Sequence, residues 1–231
     1  MLRYVVTSDW HLSSGDILTK TTDIGLIHEF LKWCETEVDK VYLAGDIFDM
    51  RLTTLDKIRQ ANYPVADKTI ELIERGKAVY CPGNHDWPLM EMKGAIEYAP
   101  IDDTGLAVIH GHQFDPVSRV FTFKLDEYRE WIVKYVKDRT GIPLWPNLEK
   151  RKHSKRLSPI KDAMMKLFTR RAQRFAIKHG YRGVVYGHMH LAGKYSDDPL
   201  VFNSGCCIEG DSDYLLIENG EVLVKDMRDG F

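Results

Sequence analysis

The stretch Val41-Tyr42-Leu43-Ala44-Gly45-Asp46-Ile47-Phe48-Asp49 joins a short apolar run to a glycine and two aspartates. Four consecutive apolar residues read as a buried strand, since a strand covered on both faces need not alternate polar and apolar positions. The glycine permits a tight turn that presents Asp46 at the carboxyl end of that strand. In open α/β sheets, ligands bind at that end.

The same pattern recurs along the chain. Tyr4-Val5-Val6 runs into Asp9-Trp10-His11, and Ala78-Val79-Tyr80 into Gly83-Asn84-His85-Asp86. Leu106-Ala107-Val108-Ile109 runs into His110-Gly111-His112, and Val184-Val185-Tyr186 into Gly187-His188-Met189-His190. Between the early runs, Ile24 to Cys34 and Leu55 to Ile73 carry apolar residues at three- and four-residue spacing, as amphipathic helices do. Alternating strands and helices predict an α/β class.

After Val117 the texture becomes helical and strongly charged. Phe121, Leu125, Tyr128, Ile132 and Tyr135 step along one helix; Ile160, Met164, Leu167, Arg171 and Phe175 step along another, with Pro143, Pro146 and Pro159 between. Strand patterns resume at Val184, Leu200-Val201-Phe202, Tyr214-Leu215-Leu216-Ile217 and Val222-Leu223-Val224, with a hairpin turn at Asn219-Gly220. Because strands continue beyond it, the helical segment (about 117–180) is expected to be an insertion within a single domain spanning 1–231.

Composition narrows the class. The 231 residues are 44% apolar and 29% charged, ordinary for a globular core. The net charge of -2 gives the chain as a whole no nucleic-acid signature. No stretch approaches the ~20 apolar residues that span a bilayer. The N-terminus leads straight into an apolar strand rather than a signal peptide, so the chain is expected to be cytoplasmic. Cys34, Cys81, Cys206 and Cys207 form no CxxC pair and are expected to be buried, reduced thiols.

Six of the nine histidines fall inside the five polar clusters. Carboxylates, imidazoles and one amide oxygen, with no thiolate, suit Mn2+, Fe or Zn2+ better than Ca2+ or an iron–sulfur cluster. The donors are too many for one tetrahedral ion and about enough for two ions sharing a carboxylate. Two ions roughly 3.5–4 Å apart can neutralise the attacking and leaving oxygens of a displacement at phosphorus. Each cluster alone is weak. At roughly 5% per named position, the ordered set is expected by chance in far fewer than about one in a million chains.

The ordered pattern DxH, GDxxD, GNHD, H and GHxH, from Asp9 to His190, resembles the calcineurin-like metallophosphoesterases. The resemblance implies a four-layer αββα sandwich. It implies one metal on Asp9, His11 and His190, another on Asn84, His110 and His188, and Asp46 bridging them. A metal-activated hydroxide would attack phosphorus directly. His85 would stabilise the transition state or protonate the leaving oxygen, oriented by Asp86. His112 is expected to orient a ligand or touch substrate, and Asp49 to accept a hydrogen bond rather than coordinate.

Within that superfamily, the short chain, the insertion between the fourth and fifth motifs and the run His110-Gly111-His112-Gln113-Phe114-Asp115 are similar to UDP-2,3-diacylglucosamine hydrolases and their relatives. In those enzymes a helical cap accommodates acyl chains. This chain departs from them at His85, Met189 and Ala192, where they commonly carry Arg, Thr and Pro, which points to a relative with another substrate. From Glu149 to Lys178 the segment carries eleven basic residues against Glu149 and Asp162. Such a stripe suits phosphates, a polynucleotide or the inner face of an anionic membrane, and a solvated helix face equally well. Trp131, Trp145 and Phe168 are candidates to line an apolar pocket beneath it. The expected substrate is a phosphodiester or pyrophosphate, lipid-linked or nucleotide-linked, with nucleic acid as the alternative. A scaffold without catalysis ranks last, because every ligand position and His85 are filled.

Overall fold

Strand β1 (Arg3–Thr7) is the hub of the first sheet. It pairs in parallel with β2 (Lys40–Leu43), which pairs in parallel with β3 (Ala78–Tyr80). The structure, a computed structural model, describes residues 2–14, 22–51, 53–86, 89, 94–115 and 159–231. On the other flank of β1, β9 (Asp213–Glu218) and β10 (Glu221–Asp226) form an antiparallel hairpin, giving the order β10-β9-β1-β2-β3. Asn219 and Gly220 turn that hairpin with φ of 55° and 78°, the left-handed pair that a two-residue loop requires.

A second sheet runs β4-β5-β6-β8-β7. In it β5 (Leu106–Ile109), β6 (Gly183–Tyr186) and β8 (Leu200–Asn203) are parallel, and β4 (Tyr98–Ile101) and β7 (Gly193–Asp197) are antiparallel edges. Both edge strands escape the sequence reading. One carries Pro100, which lacks a ladder donor, and the other is polar with a register shift between Lys194 and Ser196.

Side-chain alternation along the strands builds four layers. Val5, Val41, Leu43 and Leu216 pack against α1 (Ile24–Glu37), α2 (Leu55–Ala61) and α3 (Val65–Glu74). Tyr4, Val6, Leu215 and Ile217 turn the other way and meet Val108, Val185 and Phe202 between the sheets. Ile109, Val184, Tyr186 and Val201 then face α4 (Pro159–His179) on the far side. The fold is the expected αββα sandwich.

Two helical expectations change. The helix read from Leu55 to Ile73 is two helices, broken at Asn62-Tyr63-Pro64, because Pro64 has no N–H and disfavours helical geometry in the residue before it. On α4 the fully buried stripe is Met165, Phe168, Ala172 and Ala176; of the row read from the sequence, Met164 and Phe175 pack at its margin, Arg171 is half-buried and Leu167 is exposed. Two alanines on that stripe let the helix lie close to β6 and β8. Of the segment expected as a cap, 116–158 lie outside the described residues, and Trp131 and Trp145 with them; Phe168 is a core residue. The four cysteines are free and buried, and burial raises each thiol above its ordinary range. Among the described residues no helix is long and apolar enough to cross a membrane.

Candidate metal centre

Each polar cluster lies on the loop that follows a parallel strand. Asp9 and His11 follow β1, Asp46 and Asp49 follow β2, and Asn84, His85 and Asp86 follow β3, while His110 follows β5 and His188 and His190 follow β6. Bonds Asp9 N–H to Gly45 O and His11 N–H to Asp46 O, both 2.9 Å, extend the β1–β2 pairing past the strand ends. Asp9, His11, Asp46, His188 and His190 have φ between 48° and 65°. Left-handed backbone costs an ordinary side chain about 1–2 kcal/mol, and Asp and His tolerate it better than most. Such strain gathers where function holds it.

The donors form two groups. The ligand atoms of Asp9, His11 and His190 lie within 4.8 Å of one another, as do those of Asp46, His110 and His188. In the first, Asp9 Oδ1 is 3.0 Å from His190 Nε2 and 3.8 Å from His11 Nε2. In the second, His110 Nε2 is 3.4 Å from Asp46 Oδ2 and 3.1 Å from Asn84 Oδ1. Asp46 Oδ2 also lies 3.9 Å from His11 Nε2, so this oxygen faces both groups.

This arrangement fits divalent cations. Asp9 and Asp46 are fully buried carboxylates, and among the described residues the only ion-pair partners they have are histidines, with no lysine or arginine in reach. Charges removed from water cost several kcal/mol each unless compensated. His110 Nδ1 donates to Ala44 O at 2.8 Å, which turns Nε2 toward the donor group. A Cβ at Gly83 would run into Asp46, and one at Gly187 would come within 2.5 Å of Asp9 Oδ2, so both glycines keep the cradle open.

Electrostatics follow the same geometry. Burial would raise the Asp46 carboxyl, but His110, His85 and His11 hold it well below its ordinary range. Burial would lower His110, but the adjacent Asp46 raises it to about 9. His112 is pushed down to about 3, first by burial and then by His110 and His188. It stands beside the donors, its ring 5.4 Å from that of His110, and belongs to neither group.

The expected role of Asp86 requires correction. Its carboxylate does not turn to His85. It accepts the main-chain N–H groups of Ile47 (3.1 Å), Phe48 (2.7 Å) and Gly83 (3.1 Å), tying the β2 loop to the β3 loop. Burial and the charge of Asp46 raise it to about 7, against the pull of those amides. The partner of His85 is Asp49, whose Oδ1 lies 3.2 Å from His85 Nδ1 and 3.3 Å from Arg51 Nε.

Three supports went unread in the sequence. Ser8 Oγ donates to Asp9 Oδ2 at 2.5 Å and lies 2.7 Å from Ser204 Oγ. Asn203 Nδ2 donates to Gly187 O at 2.5 Å, bracing the β6 loop. Asn203 ends β8 and Ser204 follows it, as the motifs follow their strands, which was the available signal. Asp115 Oδ2 lies 3.4 Å from His188 Nε2.

Comparison with known proteins adds the family. The family model described as calcineurin-like phosphoesterase matches residues 2–192. No curated protein matches the chain. Among solved structures, the chain is similar to Yfce, a phosphoesterase from E. coli, at 15% identity and TM-score 0.50, covering 100% of this chain and 96% of that one. It is also similar to a dimetal phosphatase from Danio rerio (13% identity, TM-score 0.49, covering 97% and 95%). A third is Vacuolar Protein Sorting 29 from Cryptosporidium parvum (13% identity, TM-score 0.46, covering 97% and 96%). At these identities the likeness is one of fold.

Proposed function

This chain belongs to the calcineurin-like phosphoesterase family, and on that premise we propose that it is a two-metal hydrolase of a phosphodiester or pyrophosphate bond. The observation that carries the two-metal reading is the position of Asp46 Oδ2, 3.4 Å from His110 Nε2 and 3.9 Å from His11 Nε2. Asp9, His11 and His190 would hold one ion; Asn84, His110 and His188 the other, with Asp46 shared. Two divalent ions there, Mn2+ in this reading with Fe or Zn2+ as alternatives, would supply Lewis acidity toward phosphoryl oxygens and activate the attacking water. His85 Nδ1 lies 3.2 Å from Asp49 Oδ1, and its Nε2, 3.8 Å from Asp46 Oδ2, faces the same space. From there it gives a proton to the departing oxygen.

For substrate, the finer reading is an anionic lipid-linked nucleotide of the UDP-2,3-diacylglucosamine kind. Support comes from α4, whose outer face exposes Lys166, Arg170, Arg174 and Lys178 at four-residue spacing with Leu167 and Ile177 among them. Cations interleaved with aliphatic side chains suit the surface of an anionic membrane. A polynucleotide backbone would use the cations alone.

The test is hydrolysis by metal-stripped protein reloaded with Mn2+, on p-nitrophenyl phosphate, bis-p-nitrophenyl phosphate, UDP-diacylglucosamine and a short single-stranded DNA. Turnover of the UDP-lipid, as a lipid-linked pyrophosphate of the expected class, above that of the DNA is the expected result. Salt-sensitive cleavage of the DNA with none of the lipid would replace it with the nuclease reading. Silence on all four with two ions bound would overturn both.

A further inference from the structure

His188 is gripped from two directions by residues to which the sequence reading gave no role at the metal centre. Phe168, from the middle of α4, lies face to face with its imidazole, with ring centroids 5.8 Å apart and planes inclined by 21°. That is offset stacking, within the range aromatic pairs favour. Asp115, at the end of the turn that follows β5, places Oδ2 3.4 Å from Nε2 of the same ring. Asp115 stands outside the donor group of Asp46, His110 and His188. On the main chain, His188 N–H donates to Asp9 Oδ2 at 2.9 Å, and its φ is 65°.

An imidazole ligand has two rotatable bonds, and an ion tolerates little error in either. The stack sets the plane of the ring. A carboxylate at Nε2 sets its rotation within that plane and, by accepting an N–H there, leaves Nδ1 free for an ion. His110 achieves the same end with a main-chain carbonyl, Ala44 O. For His188 the described residues provide Asp115 and Phe168 instead.

We propose that Asp115 and Phe168 are positioning residues for the ion shared by Asp46, His110 and His188, setting the orientation of the His188 ring and thereby that ion's affinity. The proposal rests on the two-ion reading above. Through Phe168, the helix that covers the outer sheet also reaches one ligand of the centre.

The experiment titrates metal-stripped full-length protein with Mn2+, by calorimetry and by competition with a chelator, and records the melting temperature of the metal-free form. Parent, Asp115→Ala, Asp115→Asn and Phe168→Leu are compared. Asp115→Ala is expected to bind the first ion as the parent does and the second about 10–100-fold more weakly, the usual effect of losing such a support. Asp115→Asn, which keeps an oxygen acceptor, recovers part of that loss, and Phe168→Leu, which keeps apolar bulk without a flat face, weakens the second ion alone. Parent-like affinity for both ions in Asp115→Ala overturns the proposal. So does equal weakening of both ions together with a lower metal-free melting temperature in all three variants, which would mark a merely structural role. A parent that binds fewer than two ions refutes the two-ion reading itself, before any variant is compared.

Discussion

Asp46 Oδ1 accepts the His85 main-chain N–H at 2.8 Å while Oδ2 faces the histidines of both donor groups. One carboxylate thus sets both the β3 loop and the centre, and the roles of its neighbours differ just as sharply. Asp49→Asn is expected to lower turnover about 10-fold or more while both ions remain bound, because it loosens His85 yet keeps an oxygen acceptor toward His11 Nδ1, which lies 3.9 Å from Asp49 Oδ2. Asp86→Ala is expected instead to cost about 3 kcal/mol of stability, since three buried N–H groups lose their acceptor. Steady-state kinetics beside chemical denaturation separates the two; equal effects of both variants on turnover alone would refute the assignment. His110 adds a pH dependence. Its pKa in the metal-free fold is about 9, above the ordinary value near 6.5. Its contribution to metal-free stability is therefore complete below about pH 6.5 and lost as pH rises through about 9. An ion must displace that proton, so affinity should climb by about tenfold per pH unit between 7 and 9, with proton release measurable by calorimetry in two buffers. The donors themselves were legible because each sits in a short motif. The exchange of Asp86 for Asp49 was not, because adjacency to His85 in sequence says nothing about where a carboxylate points.

At the scale of elements, strands buried on both faces announced themselves as apolar runs, and every central strand of the two sheets was readable. Strands β4 and β7 were not, since an edge strand is half solvated and needs no apolar run. Pro64 is a visible breaker, yet the apolar spacing carries straight across it from Leu55 to Ile73, and spacing alone hid the break. The face of α4 was misjudged for a related reason. Leu167 looks apolar but is exposed, whereas Ala172 and Ala176 look neutral but are fully buried. Their small size brings the helix close to the second sheet. Ala172→Leu is therefore expected to destabilise by about 1–3 kcal/mol through overpacking, whereas Arg174→Leu on the opposite face should change stability by less than about 0.5 kcal/mol. Urea denaturation of the two variants checks this, and equal midpoints would contradict the placement of the helix.

For the molecule as a whole, the centre lies where both sheets present the carboxyl ends of their parallel strands, and His188 N–H bonding Asp9 joins one sheet to the other. Metal ions held there would tie the sheets together. Removing them with a chelator is expected to lower the melting temperature, with a loss of about 2.7 kcal/mol for each site that had been held at a hundredfold excess over its Kd. Calorimetric scans with and without Mn2+ measure it, and an unchanged melting temperature would separate the centre from the stability of the fold. The amino-acid sequence by itself determined the class, the central strands and the identity of the candidate ligands, because these follow from local apolar patterning and from residue types in short motifs. Only the tertiary structure decided the rest: the two donor groups, the position of Asp46 between them, Asp49 beside His85, Ser8 beside Ser204, and Phe168 upon His188. Those relations join residues far apart in the sequence, and what brings them together is the pairing of β2 with β3, the stacking of two sheets and the packing of α4 on the second, which no local pattern encodes.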